Sequence, residues 1–247
     1  MANNTTRMVT GHALLVVLAH PDDESFGMGG TLAKYAADGA RVTLICATRG
    51  EAGIKGLSPS EAGQVREREL QAAAAVLGIT EVRFMGYRDG ELARADPETA
   101  VGQLVHAMRE IQPQVVITFG PDGISGHPDH VAIHQLATLA FDRAALPARL
   151  FYLASSAATE QACGMAPTLE TPGGSVAGID VGAHLVTKVR AMQSHVSQNP
   201  PYPGPPEQEA SHLACHEYFA LARPATAGRG LSDLFGSFAE GGDLRAV

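Results

Sequence analysis

The sequence predicts an α/β fold with a single domain: a Rossmann-like, mostly parallel sheet with helices on both faces. Three observations lead to this prediction. Short aliphatic and β-branched runs alternate along the chain with longer helical patterns, as in successive βαβ units. The first run, residues 14–19, is apolar throughout, which is typical of a strand buried on both faces. The length of 247 residues is within the range of one α/β domain.

Five strand-like runs and four helical patterns account for the first part of the chain. The predicted strands cover residues 14–19, 41–47, 81–85, 115–119 and 149–153. The predicted helices cover residues 30–38, 60–77, 97–111 and 128–142. Start and stop signals agree with these limits, because Ser60 and Asp96 are N-cap residue types, Pro97 suits a first helical turn and Gly78 suits a helix end.

Beyond residue 153 the periodicity weakens. Residues 154–178 are loop-like, a short strand is expected near 175–181, and a helix is expected at 183–195. Proline recurs in residues 199–206, which predicts a loop or lid rather than a linker between domains.

Domain organisation follows from these elements. We expect one domain over residues 1–247, with a catalytic core at about 12–198 and a C-terminal extension or lid at about 199–247.

Composition and charge exclude several classes of protein. The formal net charge is −8 and no basic run is present, so nucleic acid is not an expected partner. The sequence holds no long apolar stretch, which argues against a membrane protein. Cys46, Cys163 and Cys215 lack metal-site spacing and suggest reduced thiols, so we expect a cytoplasmic protein. Oligomeric state stays open, with a homo-oligomer compatible.

The first motif with evident chemistry directly follows the first predicted strand. Residues 20–24 read His-Pro-Asp-Asp-Glu, and ligands of open parallel sheets bind beyond the carboxyl ends of the strands. Pro21 ends the strand. His20 and Asp23 then supply one neutral nitrogen and one anionic oxygen, a mixture of ligands that zinc accepts.

A second His-Pro-Asp segment follows the fourth predicted strand. Residues 127–130 read His-Pro-Asp-His, and Pro128 suits the first turn of a helix. Together the two segments predict a catalytic metal site with three protein ligands, His20, Asp23 and His130, and a fourth position for water. Asp22 and His127 remain available to transfer protons.

These motifs resemble those of the LmbE/PIG-L family of zinc-dependent N-deacetylases, which remove acetyl groups from N-acetylglucosamine conjugates. The resemblance rests on Ala-His-Pro-Asp-Asp-Glu at 19–24 and Gly-His-Pro-Asp-His at 126–130. It extends to Gly-Gly-Thr-Leu at 29–32, Thr-Arg-Gly-Glu at 48–51, Arg66 with Glu69, Arg88-Asp89, and a late K-x-x-A-x-x-x-H-x-S-Q element at 188–198.

Amide hydrolysis requires a nucleophile, a base, charge stabilisation and an acid for the amine. One zinc ion per chain, or iron(II) as an alternative, would supply the nucleophile. Asp22 is the expected general base, a role that the resemblance also implies. His127 is expected to stabilise the oxyanion or to protonate the amine, with Asp129 orienting its ring; the sequence leaves both roles open.

The resemblance also implies which residues contact the substrate. Glu51, Arg66 and Asp89 occupy the sugar-contacting positions of the family, and His195 lies in the late motif and is expected to line the pocket. The implied partner is a small-molecule N-acetylglucosamine conjugate.

The branch within the family stays open at this point. Ser125 stands where mycothiol-pathway deacetylases carry a tyrosine, whereas residues 123–126 are similar to the glycosylphosphatidylinositol-pathway branch. Residues 20–30 and 86–89 are similar to bacillithiol-pathway deacetylases.

Two other functions compete with deacetylation. Gly27-Met28-Gly29-Gly30 after the first strand suggests an NAD(P)-dependent oxidoreductase, but Leu32 replaces the last glycine of that fingerprint. A non-catalytic sugar-binding protein of the same fold is the other alternative, although binding alone requires neither Asp22 nor His127.

Overall fold

The computed structural model describes residues 11–154, 176–224 and 231–236. Seven strands lie in this part of the chain: β1 Ala13–Leu18, β2 Arg41–Thr48, β3 Glu81–Tyr87, β4 Val115–Phe119, β5 Arg149–Ala154, β6 Val176–Asp180 and β7 His216–Arg223. The helices are α1 Asp23–Ala37, α2 Pro59–Leu77, α3 Pro97–Ile111, α4 Pro128–Ala144, α5 Leu185–Ser194 and α6 Pro206–Glu209. Short 3₁₀ turns occupy Leu92–Arg94, Gly182–His184, Val196–Gln198 and Ala210–His212.

The strands form one sheet in the order β3-β2-β1-β4-β5-β7-β6. Strands β1 to β5 pair in parallel, and β7 pairs antiparallel with both β5 and β6. Because right-handed crossovers run outward from β1 in opposite directions, α1 and α2 cover one face and α3 and α4 cover the other. The predicted fold class is therefore confirmed.

The centre of the sheet determines where the two His-Pro-Asp segments meet. Strand β1 is buried along its whole length, and it pairs directly with β4, with Leu14 opposite Val115 and Val16 opposite Ile117. From β1 the next strands of the chain add on one side, and from β4 they add on the other. The gap between β1 and β4 is therefore the switch point, where α/β sheets bind ligands. Both segments therefore leave the sheet side by side.

Three details differ from the predicted elements. Helix α1 begins at Asp23 instead of residue 30, because a helical turn precedes a break at Met28 (φ −148°). The N-cap of α2 is Ser58 and not Ser60, since the Ser58 side chain accepts a hydrogen bond from the backbone N–H of Glu61. Strand β7 was not among the predicted elements.

Some predictions fall on residues that the structure does not describe. Most of the loop predicted at 154–178, Cys163, and parts of the segment after residue 224 lie outside the described ranges. Among the helices that are described, none combines the length and the apolar character needed to cross a membrane.

Candidate metal centre and cavity

The first segment turns sharply at the end of β1. Asp22 is the N-cap of α1 and adopts φ 109° and ψ −29°, a conformation that non-glycine residues rarely adopt. Its backbone N–H donates to Glu24 Oε2 at 3.0 Å. The backbone N–H of His20 donates to Asp23 Oδ2 at 2.8 Å. These contacts hold the side chains of residues 20, 22 and 23 at one edge of the sheet.

The second segment begins α4. His130 lies in the first turn of this helix, and its ring stacks on Phe119 with a centroid distance of 4.1 Å. Its Nδ1 lies 3.0 Å from the carbonyl oxygen of Gly123. Gly123 has φ +64°, and a Cβ there would lie 2.7 Å from the His130 Cβ, so only glycine permits this approach. His130 Nε2 is thereby directed toward His20.

Side chains of the two segments converge at metal-ligand spacing. His20 Nδ1 and His130 Nε2 are 3.2 Å apart, and His130 Nε2 is 3.3 Å from Asp23 Oδ1. His20 Nδ1 is 3.9 Å from Asp23 Oδ2. Atoms bound at about 2.1 Å to one tetrahedral ion are roughly 3.4 Å apart, and the two Asp23 distances involve different oxygens of that carboxylate. Among the described residues, the sets of three donor atoms within 4.8 Å of one another are His20 with His127 and His130, and His20 with Asp89 and Asp129. A His/Asp group of this kind could hold a divalent cation.

The other nitrogen of His20 faces two carboxylates. His20 Nε2 is 3.1 Å from Asp89 Oδ1 and 3.3 Å from Asp129 Oδ2. Burial alone would lower the pKa of His20, but the hydrogen bonds to Asp129 and Asp89 and the charge of Asp23 outweigh it and raise that pKa to about 10. Carboxylates behind a metal-binding histidine orient the ring and increase its basicity.

Asp22 faces the cavity and pairs with an arginine. Its Oδ2 is 3.0 Å from a terminal nitrogen of Arg66. Burial and the charge of Asp23 raise the pKa of Asp22 to about 7, against the opposing effect of Arg66.

Arg66 is held by the backbone. Its guanidinium is buried and donates to the carbonyl oxygens of Gly50 and Pro21. Gly50 has φ +68°, and a Cβ there would lie 2.3 Å from the guanidinium, so glycine is required. Arg66 is therefore fixed against Asp22.

His127 is the N-cap of α4. Its Nδ1 accepts a hydrogen bond from the backbone N–H of Asp129 at 3.2 Å, so a neutral ring carries its proton on Nε2. Burial and the neighbouring His20 and His130 lower the pKa of His127, which favours the neutral form.

Asp129 orients the His127 ring differently from the prediction. The contact is made by the backbone N–H of Asp129. Its buried carboxylate accepts from the backbone N–H groups of Gly90 at 2.7 Å and Leu92 at 3.1 Å and faces His20. Asp129 therefore supports the first His-Pro-Asp segment with its side chain and the second with its backbone.

A cavity of about 580 Å³ opens above these groups. Its lining includes the predicted residues His20, Asp22, Asp23, Arg66, Asp89, His127 and His130. It also includes Phe26, Ala52, Gly53 and Gln198, which the sequence analysis did not assign to the site. Gln198 belongs to the late motif, which was a signal for it, whereas Phe26 lies between the motifs and had none.

Two predicted substrate residues do not line the cavity. Glu51 Oε2 accepts from the backbone N–H groups of Arg49 at 3.2 Å and Asp89 at 3.3 Å, so it shapes the loop that carries Asp89. His195 is fully buried, with its Nε2 2.7 Å from Glu24 Oε1. Both residues stand one layer behind the groups that line the cavity.

The fold and the donor set define an α/β protein with a His/Asp group that could hold a divalent metal at the switch point of its sheet. The chain matches the family model described as PIG-L, GlcNAc-PI de-N-acetylase, over residues 15–141. It therefore belongs to the PIG-L family.

Individual relatives agree with this membership. A protein of Actinosynnema mirum named 1D-myo-inositol 2-acetamido-2-deoxy-alpha-D-glucopyranoside deacetylase is 36% identical over 226 residues, which cover 75% of this chain and 80% of the relative. A protein of Streptomyces scabiei with the same name is 44% identical over 163 residues, 56% of this chain but only 50% of that relative. Among solved structures, the N,N'-diacetylchitobiose deacetylase from Pyrococcus horikoshii is similar with a TM-score of 0.61 and 28% identity, covering 76% of this chain and 71% of that one.

Proposed function

We propose that this chain is a metal-dependent hydrolase that removes the N-acetyl group from a small-molecule N-acetylglucosamine conjugate. The observation that carries the proposal is the convergence of His20, Asp23 and His130, within 3.2–3.9 Å of one another, in the cavity. The names of the relatives favour a GlcNAc-inositol substrate among the three branches that the sequence left open.

His20, Asp23 and His130 would hold one zinc ion, with iron(II) as the alternative. When bound there, the ion would lower the pKa of a water molecule to about 7 and polarise the acetyl carbonyl. The charges around the cavity favour a cation, because Asp22, Asp23, Asp89 and Asp129 outnumber the single arginine of the site.

Asp22 is the proposed general base. It lines the cavity beside the metal ligands, and its carboxylate needs no place in the ligand set. Asp22 would take the proton of the attacking water and return it to the nitrogen as the amide C–N bond breaks, which yields acetate and a free amine.

His127 is the proposed oxyanion-stabilising donor. Because its Nδ1 accepts the Asp129 N–H, its Nε2–H is free to donate to the carbonyl oxygen as negative charge develops there. The lowered pKa of His127 supports this role over that of the general acid, since a neutral ring donates a hydrogen bond but has no spare proton to transfer.

Polar groups on the cavity wall would bind the sugar. Asp89 lines the cavity, and its Oδ2 accepts the backbone N–H of Ala52 at 3.1 Å, which fixes the carboxylate for sugar hydroxyls. Arg66 faces the same space and also positions Asp22. Glu51 supports the Asp89 loop from behind.

The oxidoreductase alternative is not favoured. Asp23 and Glu24 occupy the first turn of α1, where a dinucleotide would place its pyrophosphate on free backbone N–H groups. The sugar-binding alternative is not favoured either. A protein that only binds sugars needs no general base, so this alternative does not account for the Asp22 carboxylate that Arg66 holds in the cavity.

The test is a substrate panel. Zinc-loaded protein is incubated with GlcNAc-inositol, N,N'-diacetylchitobiose and a GlcNAc-malate conjugate, and acetate and free amine are quantified. We expect equimolar acetate and amine, fastest from GlcNAc-inositol, and a rate about 10²–10⁴-fold lower from the Asp22→Asn control. If members of the panel bind to the protein but none of them releases acetate, the proposal is overturned.

A further inference from the structure

The starting observation is the backbone conformation of Asp22. Its φ of 109° lies where a side chain crowds the backbone, and such conformations persist only when the surroundings hold them. The same residue carries the carboxylate that lies 3.0 Å from Arg66. The groups that hold this backbone therefore also determine where the carboxylate points.

One side chain holds the Asp22 N–H. Glu24 is fully buried, and its Oε2 accepts the Asp22 N–H at 3.0 Å. The other oxygen, Oε1, accepts from Ser25 Oγ at 2.5 Å and lies 2.7 Å from His195 Nε2. Both oxygens of Glu24 are thus engaged, and the carboxylate has a single orientation.

His195 connects this carboxylate to a distant element. It stands at the end of α5, and its ring is fully buried. Within the described residues its Nδ1 has no hydrogen-bond partner, so the contact with Glu24 is the hydrogen bond that its ring makes there. Two residues on, Ser197 donates through its N–H and its Oγ to Glu69 of α2, at 2.7 Å and 2.6 Å. The turn that follows α5 is therefore tied to α2 directly after His195.

We propose that Glu24 and His195 are positioning residues that hold Asp22 in its left-handed conformation and so direct its carboxylate into the cavity. The inference rests on the proposed function, in which Asp22 is the base. Neither residue lines the cavity, so neither is expected to touch the substrate.

The chain offers a matched control in Glu217 of β7, which contacts the backbone of the same helix, α1. Glu217 is also buried, accepts the backbone N–H groups of Gly30 and Thr31 of α1 at 3.1 Å and 2.7 Å, and pairs with Lys188 at 2.6 Å. It thus resembles Glu24 in burial and in its type of contacts. It has no contact with Asp22.

The experiment compares Glu24→Leu with the double variant Lys188→Met/Glu217→Leu, both zinc-loaded. We expect Glu24→Leu to lower kcat on the order of 10²-fold, since a misplaced catalytic group costs about that much, with KM and bound zinc unchanged. Glu24→Gln, whose amide oxygen can still accept the Asp22 N–H, should recover most of kcat. The double variant should keep the kcat of the unaltered protein, even if its Tm is lower. Hydrogen exchange of the Asp22 amide should accelerate in Glu24→Leu alone.

Other outcomes overturn the inference. They are an equal loss of kcat in the double variant, a loss of zinc in parallel with kcat, or full kcat in Glu24→Leu while Asp22→Asn is inactive. Full kcat in Asp22→Asn would instead refute the base assignment, and the positioning role with it. If Glu24→Leu does not fold, His195→Phe replaces it, with His195→Gln as the conservative variant that keeps an N–H for Glu24.

Discussion

Two groups of polar side chains in this molecule differ in whether they line open space. The cavity layer consists of His20, Asp22, Asp23, His127 and His130, which line open space. The buried layer consists of two buried pairs, Glu24 with His195 and Lys188 with Glu217, and the half-buried pair Glu69 with Ser197. In the buried layer each pair is closed by hydrogen bonds of 2.6–2.7 Å within the protein.

The difference separates function from stability. Burial and the nearby carboxylate of Asp23 raise the pKa of Asp22 in the cavity layer, and a bound cation would relieve the repulsion between the carboxylates. The buried layer satisfies its own charges and ties α5 and β7 to α1 and α2. Substitutions in the cavity layer should therefore remove metal or turnover and spare the fold, whereas those in the buried layer should do the reverse unless they reach Asp22.

The largest effect is expected from His130→Ala. Loss of a direct ligand should weaken zinc binding by more than about 10²-fold, because even removing a group behind a ligand costs about 10–100-fold. Metal content after dialysis measures this, and circular dichroism should show an intact fold. Unchanged zinc content would remove His130 from the ligand set.

Asp22→Asn should come next. We expect kcat to fall about 10²–10⁴-fold, the usual contribution of a general base, while the zinc content stays at the level of the unaltered protein. Steady-state kinetics together with elemental analysis check both parts. Zinc lost in proportion to activity would make Asp22 a ligand.

Lys188→Met tests the buried layer. It leaves the Glu217 carboxylate buried without its cation, which typically costs about 3–5 kcal/mol of unfolding free energy. Urea unfolding of the zinc-loaded protein measures the loss, and kcat under native conditions should be retained. A large drop in kcat without loss of stability would mean that the two layers are not separable.

The smallest effect is expected from Tyr35→Phe, far along α1 from the metal ligands. The Tyr35 hydroxyl donates to Asp233 Oδ1 at 3.0 Å and accepts the Leu234 N–H at 2.8 Å. Its removal leaves a buried N–H unsatisfied, at a cost of about 1–3 kcal/mol. A thermal shift assay should show a lower Tm, with zinc content and kcat unchanged.

The sequence predicted the cavity layer better than the buried layer. His20 and His130 could be placed together because parallel strands bring the motifs that follow them to one edge of the sheet, and their 3.2 Å separation agrees with this. The role of Glu24 could not be predicted, because its partner His195 lies 171 positions away and nothing local marks the pairing. His195 was expected in the pocket because it lies in the late motif, and nothing in the sequence showed that its ring pairs with Glu24 instead.

Strand β7 escaped prediction because two of its signals are tertiary. It enters the sheet between β5 and β6, out of chain order. Its second residue, Glu217, is buried, and a charged residue reads as exposed until Lys188 is known to neutralise it.

The central claim is that a metal ion held by His20, Asp23 and His130 is required for amide cleavage. The most direct measurement is to strip the protein with a chelator, titrate it with zinc, and record acetate release at each addition. We predict no turnover in the stripped protein and a linear rise that levels off at one equivalent of zinc per chain. Full turnover in protein shown by elemental analysis to be free of metal would contradict the account.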